Sequence, residues 1–181
     1  MMRAMMLAIC LISLHVWADE PSSHAGSGEY TIKAVSLFNF CRFIEWPDSA
    51  FPSSNTPITI GVIGADPFGP LLDDTVRGET VRNRSIRIER YRRVDDVHGC
   101  HLLFVCRSET SRFDAILAAL RGRSIATVGE SEEFMEAGGM IALISDQNRI
   151  RLRINPDRLR AAKLSVSAKL LRVATVRGQS K

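Results

Sequence analysis

Ile58-Thr59-Ile60-Gly61-Val62-Ile63, running into Gly64-Ala65-Asp66-Pro67-Phe68-Gly69, is the stretch that decides the fold. A near-continuous apolar run bounded by a Gly/Asp/Pro turn predicts a buried strand, and Pro70 to Val76 behind the turn predicts a short helix. Strands buried on both faces belong to sheets covered by helices. The pattern recurs downstream. Ser85 to Tyr91, His101 to Cys106 and Ser124 to Val128 read as further strands, with a loop at Val94 to Gly99. Ser108 reads as the N-cap of a helix reaching Leu120, whose apolar face is Phe113, Ile116, Leu117 and Leu120. Ser131 to Ala137 predicts a short helix stopped by Gly138-Gly139.

Working outward, Glu29 to Glu45 has helical periodicity. Ala34, Leu37, Phe38, Cys41 and Ile44 share one face, Lys33, Ser36, Asn39 and Arg42 form a polar stripe, and Trp46-Pro47 ends the helix. At the other end, Met140 to Ile144 and Ile150 to Asn155 predict two strands joined by a link short enough for an antiparallel hairpin. The second alternates, with Ile150, Leu152 and Ile154 on one side and Arg149, Arg151, Arg153 and Asn155 on the other. Asn155-Pro156 opens helical segments to about Val176, with a break near Ser165 to Ser167. The expected fold is α/β: a central, mostly parallel sheet with an antiparallel hairpin at its end and helices on both faces.

Met1 to Ala18 reads as a cleavable secretory signal: Arg3 supplies a basic start, Ala4 to Val16 is almost wholly apolar, and Val16-Trp17-Ala18 offers small residues for cleavage. The run is shorter than the roughly 20 residues that span a bilayer. Cys10 lacks the small-residue approach of a lipidation site. Residues 19–28 read as a disordered leader, 29–176 as one domain and 177–181 as a tail. The formal charge of +4 is modest. With export it argues against nucleic acid as a partner.

The order of Ala34-Val35-Ser36-Leu37-Phe38-Asn39-Phe40, Phe43-Ile44-Glu45-Trp46-Pro47, Ile60-Gly61-Val62-Ile63-Gly64 and Asp66-Pro67-Phe68-Gly69 resembles the YfiR family of periplasmic regulators. Cys100-His101-Leu102-Leu103-Phe104-Val105, Gly138-Gly139-Met140-Ile141, Asn148-Arg149-Ile150-Arg151, Ile154-Asn155 and Ser167-Ala168-Lys169-Leu170-Leu171 continue the resemblance in order over about Glu29 to Val173. It implies a periplasmic repressor without catalysis or cofactor. Such a repressor binds the periplasmic part of an inner-membrane diguanylate cyclase (YfiN-like), is titrated by an outer-membrane OmpA-like lipoprotein (YfiB-like), and lowers cyclic di-GMP and biofilm formation. A homodimer is also expected. Members of the family often carry intrachain disulfides, and the strand position aligned with a partner for Cys100 is here Gly61.

The residues themselves give catalysis little support. Phosphate-binding, dinucleotide and nucleophile-elbow motifs do not occur, and beyond the signal the histidines are His24, His98 and His101. His98, Cys100, His101 and Cys106 do not make a metal site by spacing, because an extended strand sends His101 and Cys106 to opposite ends and faces.

Three groups remain as binding candidates. Trp46 is expected to be an exposed anchor at the end of an aromatic-rich helix that also carries Phe38 and Phe43. Asp66, Phe68 and Gly69 follow a parallel strand, where open α/β sheets take ligands, and could equally be a plain strand-to-helix turn. Arg149, Arg151 and Arg153, with Asn155, could receive an acidic partner or anionic ligand, or form a solvated strand face. The alternative to a protein-binding regulator is therefore a periplasmic receptor for an anionic metabolite. Cys100 and Cys106 would lie roughly 20 Å apart on an extended strand, beyond the about 7 Å a disulfide allows. Free buried thiols are expected, with Cys41 to Cys100 or Cys106 as the other pairing.

Overall fold

The computed structural model describes residues 24–147 and 149–176. The first helix, α1, spans His24–Phe43, and β1 (Ile44–Glu45) follows it directly. The strand that opens the sheet, β2 (Ile58–Ile63), and the helix behind it, α2 (Pro70–Val76), have the bounds read from sequence. Then come β3 (Thr80–Val81), β4 (Arg84–Tyr91), β5 (Leu102–Val105), α3 (Phe113–Ala119), β6 (Ala126–Gly129) and α4 (Glu132–Glu136). The chain continues with β7 (Ile141–Asp146), β8 (Arg149–Ile154), α5 (Pro156–Ala161), β9 (Ser165–Val166), α6 (Ala168–Val173) and β10 (Thr175–Val176).

Eight strands form one sheet in the order β10-β8-β7-β6-β5-β2-β4-β3. Pairing is parallel from β4 through β7, antiparallel between β7 and β8 and between β3 and β4, and parallel again between β8 and β10. Strand order reverses at β2, between β4 and β5, which is the flavodoxin-like doubly wound arrangement. One face buries Ile58, Ile60, Val62, Leu102, Phe104, Ala126 and Val128 under α1, α2 and α5. The other buries Ile63, Leu103, Val105 and Ala142 under Phe113, Ile116 and Leu117 of α3 and Phe134 and Met135 of α4. Because successive strand residues point to opposite faces, the continuous apolar runs supply both cores.

Several boundaries differ from the sequence expectation, each for a local reason. The helix begins at His24, so residues 24–28 are helical where a disordered leader was expected. It ends at Phe43, because Ile44 and Glu45 pair with Val166 and Ser165 of β9 and Ser167 N donates to the Phe43 carbonyl. Ser108 does not cap α3. Residues Arg107–Arg112 form a 3-10 turn, and the Ser108 hydroxyl instead accepts from Ala65 N at the end of β2. Ser131 and Asn155 do cap, accepting from Phe134 N and Arg158 N. The Arg82-Asn83 link between β3 and β4 has both residues at positive φ, the backbone of a two-residue type I′ hairpin. The proposed signal, Met1 to Ala18, and the tail lie outside the described residues.

Candidate functional site

Parallel sheets present their strand ends and loops at the carboxyl edge, and here the amino-terminal half of α1 lies across that edge. Lys33, read from sequence as part of the helix's polar stripe, is completely buried. Its Nζ lies 2.5 Å from Glu29 Oε1, one helical turn back, and 2.5 Å from Glu130 Oε2, just beyond β6. Tyr30 donates to the same Glu130 oxygen at 3.2 Å, and its ring lies 4.7 Å from the ammonium. Ser145 on β7 donates to Glu29, and Arg107 donates to the Glu130 carbonyl. Burial and the neighbouring Glu130 push the Tyr30 phenol up to about 12. Burial opposes ionisation of Glu29, but the bonds from Lys33 and Ser145 outweigh it and hold its carboxyl below the usual range. A buried ammonium held by two carboxylates on different elements pins α1 to the sheet. Sequence offered one sign of it, the four-residue spacing of Glu29 and Lys33; Glu130 carried none.

The hairpin of β7 and β8 continues this rim. Arg151 pairs with Asp146, and Arg153 Nη1 bonds Glu132 at the start of α4 at 2.9 Å. Arg153 Nε is buried with no hydrogen-bond partner among the described residues. Glu132, Ile144, Ser145, Asp146, Arg151 and Arg153 line a cleft of about 220 Å³, and Arg149 is exposed beside it at the hairpin tip. Asn155, at the base of β8, uses its side-chain oxygen to cap α5. The expected stripe therefore exists as one face of β8, with two of its three arginines tied to carboxylates of this chain.

The turn after β2 is filled from within. Arg90 Nε bonds Asp66 at 2.7 Å, and its Nη2 bonds Asp73 at 2.5 Å and the Gly69 carbonyl at 2.7 Å. The hydrogen bond from Arg90 holds the Asp73 carboxyl below its ordinary range. Asp66 also accepts from Phe68 N. Phe68 is a core residue, edge-on to Tyr30 and Phe104. The expected ligand turn of Asp66, Phe68 and Gly69 is thus arranged around this chain's own side chains: its polar atoms bond Arg90, and the Phe68 ring is part of the core.

The expected exposure of Trp46 is corrected. The residue is 8% exposed, its Nε1 donates to the His101 carbonyl at 2.9 Å, and its indole meets the His101 ring edge-on. It locks the segment after α1 onto β5 and offers no surface anchor. Cys41, Cys100 and Cys106 are free and buried. Gly61 sits beside Cys100: a Cβ placed at Gly61 would fall 2.9 Å from Cys100 Sγ and 2.6 Å from the Tyr91 ring. The alignment of Gly61 with a partner for Cys100 thus has a spatial counterpart.

These features define a doubly wound α/β domain whose carboxyl edge is closed by an ion cluster and flanked by a basic hairpin. Among solved structures, a crystal structure of the ABC domain in complex with L-Trp from Streptococcus pneumonia matches with a TM-score of 0.53 at 9% identity, covering 81% of this chain. This chain spans only 59% of that one, and the likeness is one of fold. No curated protein matches. The family model described as YfiR/HmsC-like matches residues 30–175, and the chain belongs to that family. It is a family of periplasmic, non-catalytic regulators in cyclic di-GMP signalling. No described helix is long and apolar enough to cross a membrane.

Proposed function

We propose that this protein is a periplasmic, non-enzymatic repressor that binds the periplasmic part of a membrane-bound, YfiN-like diguanylate cyclase. It thereby lowers cyclic di-GMP and biofilm formation, and an OmpA-like lipoprotein of the outer membrane relieves the restraint. Export by the Met1 to Ala18 signal is part of the same reading. Family membership over residues 30–175 is the observation that carries it.

The partner surface in this reading is the hairpin face of Arg149, Arg151, Arg153 and Asn155. Arg153 Nε is a buried donor without an acceptor, and an unmet buried donor favours a partner that brings an oxygen to it. Deprotonation of an arginine offers no escape. An acidic segment of the cyclase supplies such oxygens, exchanging with Asp146 and Glu132.

The test is binding of the purified protein to the cyclase's isolated periplasmic domain, with Arg151→Glu/Arg153→Glu as the paired variant. Tight binding by the native chain and at least about tenfold weaker binding by the variant is the expected result, given about 2–5 kcal/mol for a buried charged contact. No binding by the native chain overturns the reading. Equal binding by the variant returns the hairpin to a solvated face.

A further inference from the structure

We infer that a cleft at the amino edge of the sheet binds a small amphipathic monocarboxylate, held by Arg121 and Arg158. The inference is independent of the cyclase reading, and the cleft lies at the opposite edge from the ion cluster and the hairpin tip. The segments that lead into parallel strands gather at this edge. α3 ends at Ala119 ahead of β6, α4 ends at Glu136 ahead of β7, and α5 starts where the antiparallel β8 returns. Between these helix ends is a cleft of about 250 Å³. Leu117 and Leu120 from one core and Met140 and Ala162 from the other give it apolar walls. It exceeds the roughly 150 Å³ that encloses a benzene ring, leaving room for an apolar body of about six to eight carbons.

Every polar side chain on the lining is a donor. Arg121 and Arg158 are both exposed at the mouth, and among the described residues neither guanidinium meets a carboxylate. Asp157, the acid beside Arg158 in sequence, is taken by Arg160. Thr127 on β6 is buried; its oxygen accepts from Met140 N at 3.3 Å, and its hydroxyl hydrogen has no acceptor among the described residues. Gly138, at a φ of 101°, leaves the room in which Arg158 lies, because a Cβ there would fall 3.3 Å from Arg158 Nη2. A mostly apolar cleft with a few convergent donors and no acidic side chain is complementary to an anion with an apolar body.

Charge narrows the class of ligand. The carboxyl ends of α3 and α4 lie at the same edge, and each carries at most about half a negative charge. Two guanidiniums against these leave about one positive charge, which a monoanion neutralises and a phosphate dianion exceeds. The planar fork of a guanidinium matches the two oxygens of a carboxylate. An amino acid is disfavoured, because its ammonium would find no acidic side chain on the lining and would face both arginines. The class is therefore a carboxylic acid anion without an amino group, of the size and shape of a medium-chain fatty acid.

The experiment is isothermal titration calorimetry of the whole chain with sodium octanoate, below its micelle range, as the probe. One saturable site is expected, with octanol, inorganic phosphate and α-aminooctanoate each binding at least about tenfold more weakly. Arg121→Gln/Arg158→Gln should weaken octanoate binding by about tenfold or more, while Arg121→Lys/Arg158→Lys keeps the charge and part of the affinity. Both positions are exposed, so the unfolding midpoint should be unchanged in either pair. Ala161→Trp, at an exposed position on the lining, should obstruct the cleft and abolish binding. A native chain with no saturable site overturns the inference. Binding indifferent to the glutamine pair or to Ala161→Trp overturns it by placing octanoate elsewhere. Equal binding of octanol overturns the anion site, and equal binding of phosphate or α-aminooctanoate overturns the ligand class.

Discussion

Trp46, just after β1, and His101, just before β5, are joined by a 2.9 Å hydrogen bond from the indole Nε1 to the His101 backbone carbonyl, with their rings edge to face. The His101 ring also stacks on Phe51 at 4.5 Å. This cluster ties the start of β5 to the segment that leaves α1. Trp46→Ala should cost about 3–5 kcal/mol of stability, the range for deleting a large buried aromatic. Urea unfolding should show the loss while affinity for the cyclase domain, measured on the folded fraction, stays unchanged. Reduced affinity with unchanged stability would restore Trp46 as an anchor.

The same histidine makes stability depend on pH. His101 Nδ1 accepts from Thr59 N at 3.1 Å and Nε2 faces the Ala50 carbonyl at 3.1 Å, so the neutral ring with its proton on Nε2 satisfies both contacts. Burial, aided by Arg84, depresses the folded-state pKa against the pull of the Ala50 carbonyl. The folded chain then binds fewer protons than the unfolded one. This contribution is complete above the unfolded value of about 6.5 and is lost as pH falls below it toward the folded value. Unfolding midpoints should decline on acidification through that window, and His101→Gln should flatten this part of the decline.

Lys33 supplies the sharpest energetic test. Lys33→Met leaves Glu130 buried without its cation and should destabilise the chain by about 3–5 kcal/mol. Adding Glu130→Met removes the orphaned carboxylate, so the double variant should be more stable than the single. A double variant as unstable as the sum of both singles would mean that the two groups do not act as a pair.

Gly61 tests the packing around Cys100. Gly61→Ala forces a methyl into the Tyr91 ring, the Leu103 side chain and Cys100 Sγ, at a cost of about 1–3 kcal/mol. Gly61→Cys should cross-link to Cys100 under mild oxidation, detected by peptide mapping without reductant. A cross-link to Cys41 or Cys106 instead would contradict the placement of β2 against β5.

Much of this architecture was legible because its signals are local. Ile58 to Ile63 and Pro70 to Val76 carry their own turn and proline punctuation, and Asn155-Pro156 and Ser131 announce the helices they cap. What escaped depends on residues remote in sequence. Lys33 lies on the polar side of its helix by periodicity, yet Glu130, 97 positions away, holds its ammonium in a buried ion pair. Ser108 has the chemistry of a cap and is claimed by Ala65, and the Asp66 turn looks open until Arg90 is folded over it. Exposure of Trp46 was inferred from its place at a helix end, and the strand that covers it begins more than fifty residues later.

The three buried thiols turn the fold into a recorder of its own opening. Burial raises Cys41, Cys100 and Cys106 each to about 12, whereas an unfolded cysteine ionises near about 8.5. A thiolate is the reactive species, so the native fold suppresses reaction at these thiols and molecules caught open are marked preferentially. Adducts accumulating on these positions therefore count excursions from the native state rather than surface area. During export, the interval before collapse is the time in which this chain is vulnerable to oxidants.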